Sequence, residues 1–253
     1  MRRLALYPFA LIYGAVIWLR NRCFDLHLFK SQPISGKSIC IGNISVGGTG
    51  KSPHVAYLIA QLHAQVELQV LSRGYGRKTS GFILLDATKT PQEVGDEPCM
   101  LYAQHHNKAQ FAVCENRNYG IQRLRSAKPS SLILLDDAFQ HRYVKPGLQL
   151  LLTPFHEQFL NDWHLPSGNL RESKAGAHRA DAIILTKCPN LTKKEMEVHR
   201  KRYETYQKPI FFSSIEYAEL QLVGTPIPQI KSILLVTPSS IRASPMIRLI
   251  HIS

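Results

Sequence analysis

The chain has 253 residues, 44% of them apolar and 19% charged, enough to bury the core of one large domain or two small ones and too apolar for a disordered segment. Its 31 lysines and arginines outnumber 18 aspartates and glutamates, and the net charge of +13 favours an anionic partner: nucleic acid, acidic lipid headgroups or a phosphorylated substrate. The five cysteines (Cys23, Cys40, Cys99, Cys114, Cys188) are odd in number, widely spaced and free of Cys-x-x-Cys, which suits reduced thiols in the cytosol.

Leu4 to Leu19 is an uncharged run of sixteen residues between Arg2-Arg3 and the pair Arg20 and Arg22. A helix of that length reaches about 24 Å, short of a hydrocarbon core of about 30 Å. Lying in a membrane interface or dipping into one leaflet is therefore the favoured reading, and Tyr7, Tyr13 and Trp18 suit such a boundary. A buried core helix and a secretory signal are the alternatives, the second lacking a small-residue cleavage site.

Ile39 to Pro53 reads as an apolar strand running into a glycine-rich turn that ends in Gly50-Lys51-Ser52. A nucleotide polyphosphate needs inward-facing backbone N–H groups, a helix N-terminus, a mobile ammonium and a hydroxyl for Mg²⁺. Gly47, Gly48 and Gly50 open the backbone around Thr49, Lys51 reaches the outer phosphates and Ser52 is the metal ligand. Val55, Leu58, Ile59 and Leu62 continue as the helix behind the loop. The strict P-loop pattern has glycine where this chain has Ser45, so the match is to a relaxed form.

Leu68 to Ser72 is a second strand, opening onto Arg73-Gly-Tyr75-Gly-Arg77-Lys78, a basic turn at a strand's end where an open α/β sheet binds ligands. Phe82 to Leu85 is a short strand, and Asp96-Glu97 begins a helix, as a cap or as chemistry. Phe111 to Cys114 is strand-like, and Arg117, Arg123, Arg125 and Lys128 decorate the helix that follows. Ser131 to Leu135 has the look of a central parallel strand, and it ends in Asp136-Asp137. Two carboxylates there are costly, and a metal cation makes them tolerable. Leu148 to Thr153 follows after a hairpin-length link. Leu165 to Ser173 is a loop carrying adjacent Arg171 and Glu172, Ala182 to Thr186 is another buried strand, Leu191 to Tyr206 a charged helix and Ile210 to Ser213 a strand. Pro189 stands where a guanine-reading loop needs aspartate, so nothing supports GTP specificity.

Taken together, Gly42 to Pro53, Arg73 to Arg77, Val94 to Pro98, Asp136 to His141 and Leu170 to Glu172 resemble the tetraacyldisaccharide 4′-kinase family of lipid A synthesis over roughly residues 1–236. The resemblance implies an α/β fold with a P-loop NTPase-like, mostly parallel sheet flanked by helices and a membrane-associated N-terminal helix. It implies a helix and connection over residues 1–30, a kinase core over 31–215 and the start of a carboxyl-terminal portion over 216–253. The implied reaction moves the γ-phosphate of ATP, with Mg²⁺, onto the 4′-hydroxyl of a lipid A disaccharide 1-phosphate precursor at the cytoplasmic face of the bacterial inner membrane, on an anionic membrane surface.

By position, Lys51 and Ser52 match the phosphate and Mg²⁺ ligands and Asp96 the acid that activates the sugar hydroxyl, while Glu97, Asp136, Asp137, Gln140 and His141 match the polar and metal shell. Arg73 and Tyr75 are assigned to the nucleotide and Arg171 to the acceptor. The family pattern fails after Ile233 to Thr237: the tail from Pro238 is alien, the histidine that pairs with the Asp96 acid is missing, and His251 is no substitute. A truncated or frameshifted end is expected. Two other classes compete. A membrane-peripheral regulatory or assembly ATPase would use the same loop, but Val46 stands where many of those carry lysine. A nucleic-acid-binding protein explains the charge and none of the acidic motifs.

Overall fold

The computed structural model describes residues 6–217, 221–222, 241–242 and 245–250, with side chains through residue 215; the strand expected over Ile233 to Thr237 and the terminal His251 lie outside the described residues. The chain opens with α1 (Tyr7–Asp25), β1 (Gln32–Pro33), β2 (Ser38–Gly42), α2 (Lys51–Leu62), β3 (Leu68–Ser72) and β4 (Ile83–Leu84). It continues with α3 (Pro91–Val94), α4 (Asp96–His105), β5 (Gln110–Val113), α5 (Arg117–Ala127), β6 (Leu132–Asp136), β7 (Val144–Lys145) and β8 (Leu148–Pro154). The last elements are β9 (Ala182–Thr186), α6 (Lys193–Arg202), β10 (Ile210–Tyr217), β11 (Gln221–Leu222), β12 (Ile241–Arg242) and β13 (Pro245–Ile250).

Nine strands form one sheet in the order β13-β10-β9-β8-β2-β6-β3-β5-β4. From β10 to β5 every pairing is parallel, and antiparallel β13 and β4 close the two edges. All five residues of β3, β6 and β9 are buried, as expected for parallel strands covered on both faces. The pleat splits them between two cores. Cys40, Ile133, Leu135, Ile183 and Leu185 enter one, while Ile41, Leu132, Leu134, Ile184 and the α2 residues Val55 and Ile59 enter the other. Truncating a side chain such as Leu134, which is 0% exposed, to alanine would cost about 2–5 kcal/mol.

Two pairings depart from chain order. The hairpin-length link before Leu148 makes no hairpin, because β6 and β8 lie on opposite sides of β2 and both pair with it in parallel. β7 inside that link pairs instead with β1. Residues 245–250, assigned from sequence to a carboxyl-terminal portion, lie beside β10 in the main sheet.

α1 is both core and surface. Ala10 and Phe24 are buried, whereas Phe9, Ile12, Val16 and Leu19 are 59–64% exposed. Among the described residues no helix is long and apolar enough to cross a membrane.

Candidate active site

The carboxyl ends of β2, β6 and β3, neighbours in the sheet, open the loops that hold the predicted chemistry. At β2 the chain turns into α2 through Gly50, whose φ of 88° is left-handed and open to glycine at no steric cost. Gly42 answers a different need. A Cβ there would meet Phe139 Cβ at 2.6 Å, so only glycine lets the turn after β6 cross so close to the start of the loop. Asn43 organises the interior: its Nδ2 donates to Thr49 Oγ1 at 2.9 Å, its Oδ1 accepts from Arg171 and its carbonyl from Gln140.

Asp136 and Asp137 are adjacent in sequence and opposite in environment. Asp136 is 3% exposed; Ser72 Oγ donates to its Oδ2 at 3.1 Å, and Oδ1 has no hydrogen-bond partner among the described residues. Burial first, then the negative charges of Asp137 and Glu97, push its carboxyl up to about 6. Asp137 sits at a φ of 50°, a left-handed conformation that costs a non-glycine residue of order 1–3 kcal/mol and persists where the surroundings impose it. Its N–H donates to the Ile41 carbonyl at 3.0 Å. Burial raises its carboxyl too, but Lys51 Nζ at 3.7 Å and Arg171 at 3.0 Å outweigh that and hold the group below the usual carboxylate range.

Arg171 reaches this point because the loop after Trp163 runs beside the start of the phosphate loop. Arg171 N–H donates to Ile44 O and Val46 N–H to Asn169 O, each at 2.8 Å. α1 braces this loop and the turn after β6: Tyr13 Oη donates to the Arg171 carbonyl at 3.1 Å, Asn21 to Glu172 at 3.0 Å and Arg20 to the Gln140 carbonyl at 3.0 Å.

A cavity of ≈ 680 Å³ brings together Gly47, Lys51, Arg73, Tyr75, Asp96, Glu97, Asp136, Asp137, Gln140, His141 and Arg171. Gly48, Thr49, Gly50 and Ser52 are not on its walls; Ser52, 8% exposed, is the second residue of α2. Asp96 and Glu97 occupy the exposed first turn of α4 and both line the cavity. Tyr75, 90% exposed, stands at the rim. His141 is driven down to about 4 by burial and by the cations Arg117 and Arg73, which leaves a neutral imidazole at physiological pH.

Arg117 departs from its expected place on a solvated helix face. It is 3% exposed, donates to Cys114 O at 2.5 Å and to Asp136 O at 3.1 Å, and burial lowers its guanidinium to about 10, still cationic at neutral pH. No local pattern marks it, because it opens a helix rich in basic residues. Sequence reasoning also passed over Asn43 and Ser72, and over the separate partners of Arg171 and Glu172. Arg171 pairs with Asp137, while Glu172, 2% exposed, pairs with Arg179 at 2.7 Å.

The donor set fits a small hard cation. The Glu97 and Asp136 carboxylates line the cavity and are oxygen donors of the kind Mg²⁺ accepts, Asp136 Oδ1 being a buried acceptor with no hydrogen-bond partner among the described residues; the Ser52 hydroxyl is a donor of the same kind outside those walls. Among the described residues no group of three or more histidines, cysteines or acids could hold a metal ion.

A family model described as tetraacyldisaccharide-1-P 4′-kinase matches residues 2–229. The tetraacyldisaccharide 4′-kinase of Bacteroides thetaiotaomicron is 46% identical over 222 residues, covering 86% of this chain and 58% of that protein. The Flavobacterium psychrophilum protein of the same name is 46% identical over 221 residues, covering 85% of this chain and 64% of its own length. The chain thus spans about three fifths of these curated relatives. Among solved structures, LpxK from Aquifex aeolicus in complex with ATP superposes with a TM-score of 0.74 at 31% identity, over 88% of this chain and 68% of that one. With the match running from the amino-terminal helix through β10 and the fold shared as well, the chain belongs to the tetraacyldisaccharide-1-P 4′-kinase family.

Proposed function

We propose that this site transfers the γ-phosphate of ATP to the 4′-hydroxyl of a tetraacyldisaccharide 1-phosphate. The observation that carries the reading is the convergence of Gly47 and Lys51 of the phosphate loop, the Asp136-Asp137 strand end and the Asp96-Glu97 helix start on one cavity. Phosphoryl transfer is mostly positioning and charge neutralisation, and these are its parts. Lys51, resting on Asp137, exchanges that carboxylate for phosphate oxygens when ATP enters, and Asp137 remains held by Arg171. Asp96 accepts the proton of the acceptor hydroxyl while its oxygen bonds to the γ-phosphorus and the bond to the bridging oxygen breaks, releasing ADP. Ser52, Glu97 and Asp136 would hold Mg²⁺, which when bound neutralises phosphate charge. Neutral His141, Gln140 and Arg171 face the acceptor, and Arg73 and Tyr75 the nucleotide.

A lipid acceptor also accounts for α1. Its exposed Phe9, Ile12, Val16 and Leu19, close to Arg20 and Arg22, suit the cytoplasmic face of an anionic inner membrane. The test is to incubate the protein with labelled ATP, Mg²⁺ and a lipid-linked phosphosugar. Labelled lipid that disappears with Asp96→Asn is the expected result; ATP hydrolysis indifferent to the lipid would point to a switch ATPase and sink the kinase.

A further inference from the structure

His54 has no part in the site described so far, yet it ties the phosphate loop to strands on the far side of β2. It lies one turn into α2 and is 3% exposed. Its Nδ1 is 2.7 Å from the Gly50 carbonyl and its Nε2 3.1 Å from Ser213 Oγ on β10. A carbonyl can only accept, so Nδ1 carries the proton, and in a neutral ring Nε2 accepts from the Ser213 hydroxyl. The other acceptor in reach of that hydroxyl, Leu185 O, is farther at 3.4 Å. The ring also borders a mostly apolar cavity of ≈ 160 Å³ whose walls include Ile41, Tyr57, Leu150, Leu152 and Ile184. A second tie lies one peptide back: Thr186 Oγ1, at the end of β9, donates to the Thr49 carbonyl at 2.8 Å.

These two carbonyls belong to the peptide planes whose N–H groups are those of Gly50 and Lys51. Because a trans peptide is planar, a carbonyl held on one side aims the N–H of the following residue to the other. Gly50, in its left-handed conformation, has the backbone freedom to let that plane turn, and the other donor to its carbonyl, the His54 backbone N–H, is farther than the ring at 3.2 Å. We propose that His54, held by Ser213, is a positioning residue that fixes the Gly50–Lys51 peptide so that the Lys51 N–H faces the nucleotide phosphates. The proposal rests on the nucleotide-site reading above, and its test measures nucleotide binding apart from transfer.

ATP·Mg²⁺ affinity is measured by calorimetry for the parent, His54→Leu, His54→Asn and Ser213→Ala, with a melting curve for each. Losing a buried hydrogen bond at the loop is expected to weaken ATP about tenfold in His54→Leu and about threefold in Ser213→Ala. In His54→Asn the side-chain amide can still donate to the Gly50 carbonyl, so affinity stays within about twofold. In transfer assays the KM for ATP rises and that for the lipid acceptor does not. Parental affinity in His54→Leu overturns the proposal, as does His54→Asn binding as poorly as His54→Leu with an equally lowered melting temperature, the mark of plain packing. If His54→Leu does not fold, unchanged affinity in Ser213→Ala is the overturning result. A parent that binds ATP without phosphorylating lipid removes the kinase reading and leaves this one standing; a parent that binds no ATP removes both.

Discussion

The two ends of the central sheet hold cavities of similar size, ≈ 680 Å³ at the carboxyl ends of the strands and ≈ 660 Å³ at the amino ends of β3 and β5, and they treat charge in opposite ways. At the amino end Lys128 and Glu67 pair at 2.6 Å with side chains 36% and 59% exposed, a contact that water and salt largely neutralise. At the carboxyl end Asp136 and Arg117 are each 3% exposed, and Asp137 is held in a left-handed backbone conformation between two cations. Volume therefore does not distinguish the two. What does is the retention of charge where it is costly, with the strained backbone of Asp137 beside it.

The sharpest way to break that contrast is Lys51→Ala. The side chain contacts Asp137 rather than the core, so single-turnover transfer should fall about 10³-fold while the melting temperature moves by only about 2 °C. Transfer at the parental rate would remove the carboxyl-end cavity from consideration as the active site.

Asp136→Asn should lower transfer by about 10²-fold and at the same time stabilise the metal-free protein. The sign follows from linkage. A carboxyl whose folded-state pKa is raised to about 6 binds protons more tightly when folded. Its favourable contribution is complete below about pH 4 and is lost as pH rises to about 6, so above that the charged group is a burden of order 2–3 kcal/mol. Chemical denaturation in EDTA should show the variant more stable than the parent at pH 8 and equal to it near pH 4. A variant less stable at pH 8 would mean that Asp136 is compensated within the protein.

A smaller effect is expected on α1. Ile12→Ser with Val16→Ser removes apolar surface from the exposed face only, so partitioning onto anionic vesicles should drop about tenfold while ATP affinity is unchanged. Equal vesicle binding by both proteins would show that this face does not meet lipid. The smallest is Glu67→Gln at the amino end, where breaking the exposed pair should shift stability by less than about 0.5 kcal/mol and leave transfer alone. A marked loss of transfer there would erase the distinction between the two ends.

Much of this architecture was readable along the chain. The buried strands β3, β6 and β9, the loop into α2, and the helix opening at Asp96 all announce themselves by apolar runs, glycine placement and caps within a few residues. Asp136-Asp137 could be recognised as chemistry because two acids follow a fully apolar strand. Arg117 could not, since an arginine opening a helix rich in basic residues has the pattern of a solvated face. It is buried because the carboxyl end of β5 delivers it under Asp136, which lies two strands away in the sheet.

By itself the sequence determined which segments are strands and helices, where the phosphate loop turns and which acids end up at strand tips, because periodicity, glycine conformation and the cost of burying charge act locally. Tertiary structure alone decided the partners. Arg171 meets Asp137 across 34 positions, and His54 meets Ser213 across 159. The short link from β6 to β8 straddles β2 instead of pairing its ends. Asp136 and Asp137, adjacent and chemically identical, are shifted in opposite directions. Hydrogen bonds and Coulomb interactions depend on distance in space and on the depth of burial, and both are set by the order in which parallel strands assemble.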